Sequence, residues 1–165
     1  MPYKDQDAAV ALVYADQCIS AIRNTLYAAR LRKDRRPALA RLLAAISAAE
    51  DIQSRRMSMR MRGRIDDTAA HLDALRRKKY GDFAEVFPKL AERFVRAGES
   101  KTSEAFQQFG EVAKNHYDRI SEIAHRQRDE SAIFFLCQVC GYISAGFAPA
   151  RCPVCGAIEA RFVET

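Results

Sequence analysis

A chain of 165 residues, 48% of them apolar, is long enough for one hydrophobic core plus a small appended module and too short for several large domains. No apolar run approaches the ~20 residues of a bilayer span, and the opening MPYKDQDAAV lacks a basic segment followed by an apolar stretch, so neither a membrane anchor nor a secretory leader is expected. The net charge of +6 is concentrated between Arg55 and Lys79, where nine Arg or Lys stand against Asp66, Asp67 and Asp73.

Ala8 to Lys33 is rich in Ala, Leu and Arg, with Tyr14, Cys18, Ile22 and Thr25 at spacings of three and four. That pattern predicts a long amphipathic helix with Asp5 or Asp7 as its N-cap. Pro37 suits the first turn of a second helix, in which Leu39, Leu42, Leu43, Ile46, Glu50, Gln53 and Met57 share one face and which runs to at least Gly63. A third helix is expected from Thr68 to Ala97, closed by Gly98, with Lys79, Asp82, Phe83, Val86, Leu90 and Phe94 facing inward. Pro88 should kink it, since proline lacks the N–H that helix interiors use. A fourth helix, Lys101 to Arg128, carries Phe106, Phe109, Ala113, His116, Ile120 and Ile123 on one face. Four such helices predict a mainly α chain built as a four-helix bundle over residues 1–130, with RDESA as the joint to a second domain at 131–165.

The link between helices two and three is awkward. Parallel helices of this length need a return path of ~40 Å, and GRIDDT is too short for it. Either several turns melt, or a nearly continuous second-plus-third helix hands the third and fourth helices to a partner chain. A homodimer is favoured, with the domain swap as one form of it.

Cys137, Cys140, Cys152 and Cys155 follow C-x2-C-x11-C-x2-C, and only Cys18 stands apart. Two such pairs at that distance read as one tetrahedral metal site in a reducing compartment, hence a cytoplasmic protein. Gly141 and Gly156 directly follow the second cysteine of each pair. Glycine there permits the left-handed backbone that turns amide N–H groups toward sulfur. Some 30 residues cannot bury enough surface to fold alone, so the metal should supply much of the module's folding energy. A zinc staple is the plain reading of the spacing.

The residues CGYI, CPVCGA and EARFVE resemble the rubredoxin-like module that ends rubrerythrins, and LYAA and VFPKLA resemble their ferritin-like bundle. The resemblance implies one iron in the four-cysteine site, cycling between Fe2+ and Fe3+ and passing single electrons, with zinc as the alternative because four-sulfur geometry holds both. It also implies a di-iron centre in the bundle, built from a Glu on each of two helices and a Glu-x-x-His on the other two, with a further Glu on the third helix.

Carried over by position, those ligands fall on Cys18 (or Asp16 in a shifted register), Glu50, Gln53, Lys79, Asp82, Ala113 and His116. Only Glu50 and His116 match in kind, and Asp82 is a shortened substitute. Two divalent ions need several carboxylates, so no di-iron centre is expected. Lys79 would instead place an ammonium among the vestigial ligands, paired with Glu50 or Asp82, because a buried unpaired charge is costly.

The leading expectation is a cytoplasmic electron-transfer protein whose bundle serves as dimer scaffold and docking surface for an acidic redox protein, with no catalytic residue in the bundle. The first rival is enzymatic: a divergent peroxide reductase, an oxidoreductase with an altered bundle site of Cys18, Glu50, Asp82 and His116. The second is a zinc-stapled adaptor whose basic helix meets protein or nucleic acid. Nucleic acid ranks last, since no aromatic residues interleave with the basic ones. A solvated helix surface is the simpler account of the 55–79 charges. His71 and His125 read as exposed bystanders, Met57 as core, Met59 and Met61 as surface, and Tyr14, Tyr27 and Tyr80 as core residues with polar tips.

Overall fold

The structure is a computed structural model that describes residues 6–61, 68–124 and 132–165. The chain divides into two compact units, Met1–Asp67 and Thr68–Thr165. Among the described residues no helix is long and apolar enough to cross a membrane.

The first unit is an antiparallel hairpin of α1 (Gln6–Lys33) and α2 (Pro37–Met61). Arg35 turns the chain in the left-handed conformation (φ 56°), and the Arg36 N–H closes back on the Leu31 carbonyl at 2.9 Å, the geometry that satisfies the last carbonyls of a helix. Pro37 then opens α2 where its missing N–H has no intrahelical role. The N-cap candidate Asp5 and the expected α2 end at Gly63 lie outside the described residues.

The hairpin seam is made of small side chains: Ala21 and Ala28 from α1 meet Ala40, Ser47 and Ser54 from α2, all buried. Small residues let two helix backbones approach closely. The larger apolar side chains expected to face inward stay out of this seam, Ile22 at 65% exposure and Leu42 at 53%. The physical reason is that α1 and α2 each carry two apolar faces, and the hairpin uses the narrow one. Gln53 is likewise exposed, and Tyr27, expected in a core, is 57% exposed.

In the second unit the expected third helix is a continuous run of α3 (Thr68–Gly81), a π-helical turn at Asp82–Val86 and α4 (Phe87–Arg96). The irregularity expected at Pro88 takes the form of that π turn, in which the Phe87 N–H bonds the Asp82 carbonyl. Widening one turn makes room where the proline ring would crowd the carbonyl four residues back. The extra residue shifts the helix face, so Val86 rotates out to 46% exposure instead of joining the inward stripe. Gly98 (φ 76°) ends α4, with the Glu99 N–H on the Phe94 carbonyl at 2.9 Å.

Helix α5 (Ser100–Ala124) packs on α3 and α4 through two aromatic clusters. Phe87, Phe94, Phe106 and Phe109 form one, with ring centroids 5.4–6.2 Å apart. Tyr80, Phe83 and Tyr117 form the other, at 5.3–5.9 Å. Tyr80 is half exposed, a rim residue rather than the core residue expected. Buried Ser103 ties α5 to α4 by donating to the Ala91 carbonyl at 2.9 Å.

The chain ends in an antiparallel sheet of order β2-β1-β3, from β1 (Phe134–Cys137), β2 (Ile143–Ala145) and β3 (Phe162–Glu164). Leu136 sits opposite Ile143 and Val163, so the strand that delivers Cys137 is the central one.

Candidate metal centre

Each Cys-x-x-Cys pair makes the same knuckle. In the first, the Cys137 N–H reaches the Tyr142 carbonyl and the Gly141 N–H the Cys137 carbonyl, both at 2.9 Å. In the second, the Cys152 N–H bonds the Ala157 carbonyl at 2.7 Å and the Gly156 N–H the Cys152 carbonyl at 2.9 Å. Gly141 (φ 87°) and Gly156 (φ 71°) both take the left-handed conformation expected of them. The turn they permit aims the Tyr142 N–H at Cys140 Sγ and the Ala157 N–H at Cys155 Sγ.

The four Sγ atoms lie within 4.8 Å of one another, with Cys137 to Cys155 at 3.7 Å and Cys140 to Cys152 at 3.5 Å. A tetrahedron of metal–sulfur bonds of about 2.3 Å has edges of about 3.8 Å. The donor set therefore suits a single four-coordinate ion. Cys137 and Cys152 are buried, while Cys140 and Cys155 are partly exposed.

Burial pushes the Cys137 thiol up, yet the Cys140 and Val139 N–H groups and the neighbouring thiols outweigh it and bring its pKa down to about 7. Cys140 and Cys155 are raised, first by burial, against the opposing Tyr142 and Ala157 N–H groups; Cys137 and Cys152 add to the rise in both. Four thiols this close cannot all ionise unaided. A cation is what would let them, releasing protons as it binds.

The module is fastened to α5 by residues from one turn. Asn115 offers both ends of its amide to Ile143: Oδ1 accepts the backbone N–H at 2.9 Å and Nδ2 donates to the carbonyl at 3.1 Å. Ile143 lies on edge strand β2, whose outward N–H and C=O have no strand beside them, so the side chain acts as one rung of a missing strand. Next to it, His116 Nε2–H donates to the Gly141 carbonyl at 2.8 Å. Burial lowers the pKa of His116, the Lys79 charge lowers it further, and the bond to Gly141 opposes both. Asn115 escaped the sequence reading; its only signal is a polar residue beside a histidine on a face that otherwise buries Val112 and Ala113.

The seven positions given by the rubrerythrin resemblance divide between the two units. In the hairpin, Glu50 accepts from Ser20 Oγ (2.7 Å) and Asn24 Nδ2 (2.8 Å), one on each carboxylate oxygen. Cys18 is partly exposed and Gln53 exposed; Asp16, the alternative to Cys18, is exposed too. In the second unit Asp82 is buried and receives Lys78 Nζ at 2.7 Å and Lys79 Nζ at 4.0 Å. Lys78, which the sequence reading overlooked, is the nearer cation. Ala113 is buried, and His116 is engaged as described. Among the described residues, the four cysteines are the one group of three or more His, Cys, Asp or Glu placed to share an ion.

The charged stretch 55–79 spans both units, and its middle lies outside the described residues. Arg55 pairs with Asp51, and Arg76 and Arg77 with Asp73, along their own helices. His71 is exposed, Met57 partly buried and Met59 exposed, while His125 and the Met61 side chain are outside the described residues.

Residues 135–163 match the family described as rubrerythrin, rubredoxin-like domain. Over its whole length the chain is similar to solved structures of nigerythrin. In the partially reduced state the identity is 18% and the TM-score 0.58, covering 100% of this chain and 92% of that one. The mixed-valent state gives 19% and 0.57, covering 100% and 88%. The fully reduced, all-ferrous state gives 18% and 0.58, covering 100% and 92%. No curated protein matches at a significant level. The chain therefore has a ferritin-like helical fold with a C-terminal rubredoxin-like domain. Residues 135–163 are similar to the rubredoxin-like domain of rubrerythrins, and their four cysteines form a candidate metal site.

Proposed function

We propose that this protein is a cytoplasmic electron carrier that holds one iron on Cys137, Cys140, Cys152 and Cys155 and has no di-iron centre. The observation that carries the reading is the cluster of four cysteine sulfurs with amide N–H groups turned onto it. Such donors offset the charge of a four-sulfur site and favour its more negative, reduced state. Bound there, iron would supply one-electron Fe2+/Fe3+ chemistry; the protein's part is to hold four thiolates, donate to their sulfurs and limit water. The similarity to nigerythrin, described in an all-ferrous form, favours iron over zinc. Loss of the di-iron centre is supported by the engagement of Glu50, Asp82 and His116 with protein groups, each within its own unit.

The working form is a homodimer. Its support is the second apolar face of the hairpin, where Leu12, Ile19, Ile22 and Leu26 of α1 are each more than half exposed. Exposed apolar area on that scale marks an interface. The basic residues near α3 would then meet an acidic redox partner.

Metal analysis with an absorption spectrum on protein grown with iron tests the reading. One iron per chain and a red colour that bleaches on reduction are expected. Colourless, zinc-loaded protein would exclude electron transfer by this module, and two or three irons per chain would restore a bundle site. For the dimer, Ile22→Asp with Leu26→Asp should leave a monomer in sedimentation, and an unchanged mass would remove the hairpin face from the interface.

A further inference from the structure

Two hydrogen bonds meet on one peptide group of the first knuckle. The Gly141 carbonyl accepts from His116 at 2.8 Å. The N–H of that same peptide, belonging to Tyr142, points at Cys140 Sγ. A donor on the oxygen draws electron density toward it and makes the N–H at the other end a stronger donor. Coupling of this kind strengthens each bond by roughly 10–30%.

The second knuckle repeats the arrangement with another donor. Arg151 Nη1 donates to the Gly156 carbonyl at 3.2 Å, and the next N–H, of Ala157, points at Cys155 Sγ. The two supports are unequal: His116 is partly buried and its bond short, whereas Arg151 is exposed and water competes for it. Asn115 adds to the first, since its grip on Ile143 holds the knuckle where His116 can reach it.

We propose that His116 is a positioning residue for the four-sulfur centre, raising its reduction potential by polarising the Gly141–Tyr142 peptide, with Arg151 providing a weaker copy at Gly156–Ala157. A stronger N–H···S bond favours the reduced state, which has more charge on sulfur, so it moves the potential upward. The proposal rests on the electron-transfer reading for its use, but the polarisation belongs to the site with either metal.

Redox titration of the iron-loaded protein tests it. His116→Ala should lower the midpoint by about 28 mV, a threefold change in equilibrium with a one-electron partner at 59 mV per tenfold. His116→Gln keeps an N–H donor and should recover most of the shift, and Arg151→Ala should give a smaller fall. On the zinc-loaded, diamagnetic protein, the Tyr142 amide proton should move upfield in His116→Ala while that of Ala157 stays in place; Arg151→Ala should reverse the pattern. An unmoved Tyr142 amide would overturn the proposal. So would a midpoint that rises in His116→Ala, or that shifts equally in the Ala and Gln variants, since either reports entry of water. If the protein accepts zinc alone, the electron-transfer reading fails and the amide shifts still decide this point.

Discussion

The hairpin of α1 and α2 and the knuckles beside α5 solve the same problem in opposite ways. Each holds polar groups away from bulk water next to a residue that the rubrerythrin pattern would give to iron. In the hairpin, Glu50 fills both carboxylate oxygens with neutral donors from α1, Ser20 and Asn24. At the module, the backbone provides the donors and four thiols crowd into a space that only a cation stabilises. His116 serves that second site from outside, through a carbonyl. Glu50 thus acts as a staple within a helix pair, and His116 as a tie between α5 and the first knuckle.

If that contrast holds, stripping the metal should separate the two regions sharply. A chelator, or Cys152→Ser, removes the interaction that supplies most of the module's folding energy, on the order of 10 kcal/mol for a structural four-ligand site. Amide dispersion from residues 134–164 should collapse while α1 and α2 keep their helical signal in circular dichroism. Joint loss of both signals would mean that the hairpin depends on the module. The converse test acts on the hairpin and is smaller. Glu50→Ala leaves Ser20 and Asn24 without their partner and should cost about 2 kcal/mol, and Ala28→Leu overpacks a buried seam position (1% exposed) by about 1–3 kcal/mol. Both should lower the urea midpoint of the hairpin without changing metal content.

The knuckles were legible in the sequence because their rule is local: cysteine spacing fixes the turn, and glycine after each pair fixes the φ that aims the N–H groups. The helices were legible for a similar reason, including the closure of α4 at Gly98 and the opening of α2 at Pro37. What the periodicity missed is which of two apolar faces a helix uses first. Ile22 and Leu42 share the right spacing, but Ala21, Ala28 and Ser47 take the seam because small side chains permit the closer approach. The π turn before Pro88 was half legible; proline signals a disturbance, but its form depends on packing around Asp82 and Phe83. Asn115 could not be found, since its partner lies 28 residues away and is a strand edge whose exposure no local pattern records.

The smallest expected effect is a pH dependence that belongs to His116 and not to the hairpin. Burial and Lys79 hold its folded-state pKa below the ordinary 6.5, so between those two values the unfolded chain binds the proton that the folded chain refuses. Stability is therefore complete above pH 6.5 and declines as the pH falls through that window. The charged form would still donate to Gly141; what it loses is the tolerance of a partly buried site that already faces Lys79. In His116→Gln no such proton exists, so the wild type should lose more thermal stability than the variant as the pH falls below 6.5. Thiolate protonation at the cage contributes to both proteins and cancels in the difference. Equal losses would place His116 in water, free of the carbonyl that joins α5 to the first knuckle.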